Sequence, residues 1–210
     1  SPYWRAAIAR PVSSPINSPN FQSVLPADGI ANLKPCCLTQ AEPNWTINWK
    51  QYWQPGERGA QIRLKAFLEA DLKEYGKLRD RPDRLATSRL SPHLHFGELS
   101  PRQIYDAVQR KLERDVDVSK DASKFMSEIG WREFSYQLLF NFPDLTIKNW
   151  RTNFDGFAWR DAPNDLRCWQ RGLTGYPLVD AGMRELWKTG FVHNRARMVA
   201  ASFLVKHLRI

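Results

Sequence analysis

Glu128, Trp131, Arg132 and Ser135 recur at i, i+3, i+4 and i+7 in SEIGWREFSYQLLF (127–140), so a helix there sets all four on one side. An indole between charged groups offers a flat partner a stacking platform, worth roughly 1–3 kcal/mol per nucleic-acid base. The carboxylate beside it can accept hydrogen bonds from ring nitrogens. The plainer reading is a solvated helix face with a Glu128–Arg132 ion pair at i, i+4.

Two further stretches carry chemistry. Lys77, Arg79, Arg81, Arg84 and Arg89 crowd a segment whose nearby acids are Asp80 and Asp83. It runs into TSRLSP (87–92), where Thr87, Ser88 and Ser91 supply hydroxyls ahead of a proline-started helix, a set suited to a phosphate or pyrophosphate. An ordinary helix start reads the same way. His93 and His95 have no third ligand at a useful spacing, so no metal is expected. In GFVHNRARMVAASFLVKHL (190–208), Asn194, Arg197, Met198 and Ala201 share one helix side, while Val199, Phe203 and Leu204 are expected to face the core. An amide, an arginine and a thioether together suit a heterocycle with phosphate nearby.

These groups need helices to hold them, and the periodicity supplies them. Leu64, Phe67, Leu68, Leu72 and Tyr75 follow a helical stripe that Gly76 is expected to stop. Ser100, Pro101 and Gln103 spell an N-cap, a first-turn proline and a capping box, followed by the stripe Ile104, Tyr105, Val108 and Leu112. Another helix starts at Pro177 and runs through Val179, Met183 and Leu186 to a stop at Gly190, and a last one covers about 193–208. Alternating strand patterns are scarce. The expected body is all-α, over 56–210.

Residues 1–55 differ. Eight prolines, from Pro2 to Pro55, break any period, which reads as an extended arm or interdomain linker pinned by Trp4, Trp45, Trp49 and Trp53. The chain carries 31 Lys+Arg against 22 Asp+Glu, a net charge of +9, which points to a polyanionic partner and first to nucleic acid. Cys36, Cys37 and Cys168 show no metal-ligand spacing and no even disulfide count, which fits a reducing compartment. With no apolar run of spanning length and no signal peptide, the expectation is a soluble, cytoplasmic protein with no membrane partner.

Four blocks together, TSRLSPHLHFGELSPRQIYDA, SEIGWREFSYQLLF, CWQRGLTGYPLVDAGMREL and TGFVHNRARMVAASFLVKHL, resemble the C-terminal FAD-binding domain of DNA photolyases and cryptochromes. The likeness runs from about Gly56 to Ile210, and the arm with SPYWRAA resembles the linker to an N-terminal antenna domain. The resemblance implies that Tyr75, Thr87, Ser88, Arg89, Leu90 and Ser91 contact FAD, mainly its phosphates and ribitol, with Arg197 near the flavin ring. It implies that Arg79, Arg132 and Arg195 meet the DNA backbone. Glu128, Trp131, Asn194 and Met198 would line the cavity for a flipped-out pyrimidine dimer, photolyases being a standing example of base-flipping enzymes. Trp169 matches one member of an electron-transfer tryptophan chain.

The implied activity is light-driven splitting of cyclobutane pyrimidine dimers in UV-damaged DNA by electron transfer from excited reduced FAD. Retention of Glu128, Trp131 and Met198 favours this over a cryptochrome-like photoreceptor, and HNRARM disfavours repair of (6-4) photoproducts. A helical nucleic-acid-binding module without cofactor explains the charge but not the TSRLSP hydroxyls or Trp169. Two residues depart from the family pattern: Gly130 replaces a larger apolar residue, and Phe125 stands where Trp or a polar residue is common. The resemblance also puts the antenna domain and its pigment, and the acidic pair and asparagine that complete the flavin site, outside these residues. The chain alone is therefore expected to hold FAD weakly, to repair little and to self-associate.

Overall fold

The computed structural model describes residues 2–16 and 46–210, and among these every regular element is helical. Trp45, Cys36 and Cys37, together with the prolines from Pro19 to Pro43, lie outside the described residues. The first element, α1 (Pro2–Ile8), is a short helix within the segment read as an extended arm. It is helical because it packs. Trp4 lies against the main core and Tyr3 against Phe134, 5.3 Å between ring centroids.

Helix α2 (Glu57–Ala66) widens into a π turn over Phe67–Asp71, where the Leu72 N–H donates to the Phe67 carbonyl at 2.9 Å. Gly76 does not stop this helix. The break comes at Glu74, in a left-handed conformation (φ 67°), and Gly76 lies inside the next short helix, α3 (Tyr75–Leu78). The Asp121 carboxylate holds the break, accepting from the Glu74 N–H at 2.9 Å and the Gly76 N–H at 2.7 Å. An anionic acceptor satisfies two of the orphan amides that open a helix.

After α4 (Ser91–His95), α5 (Pro101–Arg114) opens with the full capping box, Gln103 N–H to Ser100 Oγ and Ser100 N–H to Gln103 Oε1. Helix α6 (Ser119–Asn141) is the spine: its face Ala122, Phe125, Met126 and Ile129 closes the main core with Leu64, Phe67, Tyr75, Ile104 and Val108. Phe125 stacks its edge among Phe67 and Tyr75, a packing role at one of the two departures from the family pattern. The other, Gly130, has a steric reason. A Cβ there would stand 2.3 Å from the Trp4 ring, so the absent side chain is the seat for the indole of α1.

A second, smaller cluster joins α7 (Pro163–Arg171), α8 (Pro177–Thr189) and α9 (Asn194–Ser202), the last continuing as a π turn over Phe203–Leu208. Val179, Met183, Ala200 and Phe203 form it. Val199, expected inside, is exposed, because Ala196 and Ala200 take the core-facing stripe. Leu186 is also partly exposed, at 37%. Gly190 ends α8 at φ 71°, and a Cβ there would lie 2.7 Å from the Trp49 ring. Trp53 adds a hydrogen bond from Nε1 to the Thr189 carbonyl at 2.6 Å, clipping the segment before α2 onto the end of α8.

Candidate functional site

Helix α6 carries Glu128, Trp131 and Arg132 past the end of its buried face. Trp131 is 54% exposed and meets Phe134 in a T-shaped contact, 5.8 Å between ring centroids, so part of the indole is open to solvent. Glu128 and Arg132 do not pair. Arg132 donates to the Leu94 carbonyl at 3.0 Å and the Tyr136 hydroxyl at 2.9 Å, its guanidinium lying over the Tyr136 ring. Glu128 turns instead to Arg79, 2.5 Å away, with Lys124 at 4.0 Å. The local i, i+4 ion pair gives way to Arg79, whose side chain is only 11% exposed and so needs a charged partner, while Arg132 is taken up by Leu94 and Tyr136.

From Arg79 the charges alternate across three elements. Arg79 Nε lies 3.4 Å from Asp80 Oδ1, and the same carboxylate oxygen accepts from Arg195 Nε at 2.9 Å and lies 2.8 Å from its Nη2. The order is therefore Glu128, Arg79, Asp80, Arg195. His193 adds a second tie between the same elements: Nε2 is 3.0 Å from the Arg79 carbonyl, and Nδ1 accepts the Arg195 N–H at 3.2 Å. That pattern fits the neutral ring with its proton on Nε2. Asn194 and Met198, one turn apart on α9, approach at 3.8 Å, and Arg195 Nη1 lies 3.7 Å from the same sulfur.

These contacts set the proton affinities. Burial pulls on the Arg79 guanidinium, but the adjacent Glu128 carboxylate, with Tyr75 and Asp80, outweighs it and raises the pKa. Partial burial opposes ionisation of Asp80, yet its bonds to Arg195 and Arg79 hold it below the usual carboxylate range. Burial pushes the Tyr75 hydroxyl up to about 12, against the nearby Arg79 charge. All of these groups keep their ordinary neutral-pH charge.

The second half of the site lies between α3 and α4. Arg63 of α2 donates to the Ser88 carbonyl at 2.8 Å and the Thr87 carbonyl at 2.9 Å, which fixes the backbone of TSRLS. Arg89 takes a left-handed conformation (φ 54°) that throws its guanidinium over the Phe191 ring, 4.8 Å away, with Glu185 at 3.8 Å. Its Nε is buried and has no hydrogen-bond partner. Half-buried Thr87 and Ser88 and exposed Ser91 add hydroxyls. An arginine with an unused buried N–H beside three hydroxyls fits a pyrophosphate. Ser91 also stands at the edge of a mainly apolar groove of about 540 Å³ walled by Trp49, Trp53, Pro92 and Phe96.

Other residues singled out in the sequence are placed differently. The Leu90 and Tyr75 side chains are in the main core, so Leu90 can offer a ligand only its backbone. Arg197 donates to the Val192 carbonyl at 3.2 Å. Trp169 packs on the second cluster and donates from Nε1 to the Ala200 carbonyl at 3.0 Å. Asp80, His193 and Arg63 were not singled out, since in LRDRPD an acid among arginines reads as solvated charge. The adjacency of Asp80 to Arg79 was its one local signal.

Among the described residues no group of three or more His, Cys, Asp or Glu could hold a metal, and no helix is long and apolar enough to cross a membrane. Residues 125–210 match the family described as the FAD binding domain of DNA photolyase. The whole chain is 45% identical to a deoxyribodipyrimidine photo-lyase of Agrobacterium fabrum, of which it spans 44%. It is 40% identical, over 75% of its length, to cryptochrome-1 of Arabidopsis thaliana, covering 24% of that protein. A crystal structure of a bacterial class III photolyase from Agrobacterium tumefaciens superposes on the full chain with a TM-score of 0.85 at 43% identity, again over 44% of that protein. The chain belongs to the DNA photolyase and cryptochrome family, of whose members it represents the helical, FAD-binding part.

Proposed function

We propose that the chain is the FAD- and DNA-binding part of a photolyase that splits cyclobutane pyrimidine dimers, with residues 1–55 as joining arm and 56–210 as binding body. The observation that carries this reading is the charge row from Glu128 to Arg195, which starts on the helix that exposes Trp131. A flat, edge-polar lesion stacks on the indole, Glu128 accepts its ring N–H groups, and Asn194 and Met198 bound the other side. Arg79, Arg132 and Arg195 hold the flanking phosphates. UV-damaged DNA is the partner, in the cytoplasm of the producing cell.

FAD would be held by Arg89 and the hydroxyls of Thr87, Ser88 and Ser91, by the backbone at Leu90, by Tyr75, and by Arg197 on the ring side. Bound FAD supplies the light-driven electron transfer, and Trp169 is assigned to the path that re-reduces it. The protein's own part is to orient the dimer against Trp131 and Glu128. The 40% identity to cryptochrome-1 supports a second reading, a flavin photoreceptor that uses the same pocket without repair.

Glu128→Ala and Trp131→Ala test the repair reading. In the repair reading each weakens binding to dimer-containing duplex more than to undamaged duplex, by roughly 1–3 kcal/mol for loss of the stacking indole. Equal losses on both duplexes would make the face a general phosphate surface. An absorption spectrum of the purified chain with added FAD tests the cofactor half: flavin bands near one per chain support the assignment of Thr87–Ser91.

A further inference from the structure

Among the described residues, Asp80 is the one acid shared by two of the arginines assigned to DNA phosphates. Its Oδ1 sits between Arg79 Nε at 3.4 Å and Arg195 Nε and Nη2 at 2.9 and 2.8 Å. Arg79 is further neutralised by Glu128. The four-group row therefore carries two positive and two negative charges, so a site meant for a polyanion is close to neutral. The Arg195 and Asp80 side chains are both about half exposed, so their pairing is open to competition from solvent and ions. Among the described residues, the Asp80–Arg195 bond is also the only side-chain ion pair holding the first turn of α9, with Asn194 and Met198, to the turn after α3.

We propose that Asp80 is a specificity-determining residue that masks Arg195 against ordinary phosphodiester backbone while fixing where Arg195 points. Undamaged duplex offers the site only phosphates, and a phosphate must displace Asp80 to reach Arg195. A dimer-containing strand brings additional contacts, stacking on Trp131 and hydrogen bonds to Glu128, which offset that displacement. The discrimination arises as much from what Asp80 withholds from undamaged DNA as from what the pocket offers the lesion. The inference rests on the reading of Arg79 and Arg195 as phosphate contacts.

The test is Asp80→Asn, which keeps the shape and an acceptor oxygen and removes the charge. Fluorescence anisotropy with labelled duplexes, undamaged and dimer-containing, is run over a salt series on the full chain. Asp80→Asn is expected to bind undamaged duplex several-fold more tightly, with a log K against log salt slope steeper by about 0.9, one further phosphate contact. The ratio of dimer to undamaged affinity falls. Asp80→Glu restores the wild-type slope, and in an Arg195→Gln background the Asp80→Asn gain disappears, because the unmasked cation is gone.

Equal weakening on both duplexes, or an unchanged slope, would overturn the masking and leave Asp80 a structural residue. So would a gain that persists in the Arg195→Gln background. A wild type that binds both duplexes equally, while Asp80→Asn still steepens the slope, would sink the lesion reading and keep the masking. If neither wild type nor Asp80→Asn binds any duplex, both fall. Should Asp80→Asn fail to fold by circular dichroism, Arg195→Gln alone decides: masking predicts only a small change in slope on undamaged duplex, and a loss of about 0.9 overturns it.

Discussion

Arg79 and Glu128 meet at 2.5 Å although 49 positions separate them, and the pair joins α6 to the turn that follows α3. Arg79 is the more buried partner, with 11% of its side chain exposed against 31% for Glu128. Removing the cation leaves a carboxylate with only Lys124 near it. Arg79→Gln should cost about 1–3 kcal/mol in urea unfolding, less than a fully buried pair because Glu128 keeps some water. Glu128→Gln should cost less, since Arg79 retains Asp80. Equal losses would show that the pair is not the main support of either residue.

Gly130 and Trp4 lead to a second prediction. A methyl group at 130 would overlap the indole, so Gly130→Ala should lift α1 from α6 while the main core survives. Limited trypsin digestion after Arg5 measures this directly. Cleavage there should accelerate in Gly130→Ala and in Trp4→Ala, with little change elsewhere. An unaltered digestion pattern would mean that α1 is held by its other contacts, such as Tyr3 on Phe134.

Acid stability should depend on Asp180. Its carboxylate accepts from the Thr174 N–H at 2.8 Å, the Thr174 hydroxyl at 2.6 Å and the Gly175 N–H at 2.9 Å. Burial opposes ionisation, but these bonds and Arg184 lower its pKa below the ordinary 3.8. A depressed folded-state pKa stabilises the native chain above 3.8 and ceases to do so as pH falls through the lowered value. Asp180→Asn should therefore lose stability at pH 7, and the gap to wild type should close below about pH 4. Urea midpoints across pH 7 to 3 measure the gap.

The capping box at Ser100 offers a cleaner energetic test. Ser100→Ala removes the acceptor for the Gln103 N–H and should cost about 1 kcal/mol, with Ser100→Gly costing only a few tenths. Chemical unfolding of the two variants decides it.

That box was legible because everything it needs lies within four residues. Helix α8 was legible for the same reason, with a proline at its start and a glycine at its stop. The lettering around Phe67 and Phe203 could not reveal the π turns, because an apolar stripe reads alike whether the backbone bonds skip four residues or five. Gly76 looked like a helix stop because its actual partner, Asp121, is 45 positions away. At the site, Glu128, Trp131 and Asn194 stood out by type and spacing, but the partner of Glu128 did not. A local arginine at i+4 was visible in the sequence, and the distant, less solvated Arg79 was not. Beyond its adjacency to Arg79, Asp80 carries no signal in the sequence because its partner, Arg195, lies on a different helix. The helix in the proline-rich arm depends on a seat that Gly130 provides in the body.

The Trp53 hydrogen bond to Thr189 spans 136 positions, and it has a consequence in time. On a ribosome adding about 5–20 residues per second, Thr189 emerges roughly 7–27 s after Trp53. Until then Trp49 and Trp53 have no Gly190 or Thr189 to close on, and α9, with Asn194 and Arg195, does not yet exist. The segment around α2 and α3 must wait through that interval with its indoles uncovered. A chaperone that shelters exposed aromatic surface would act there, before the site exists at all.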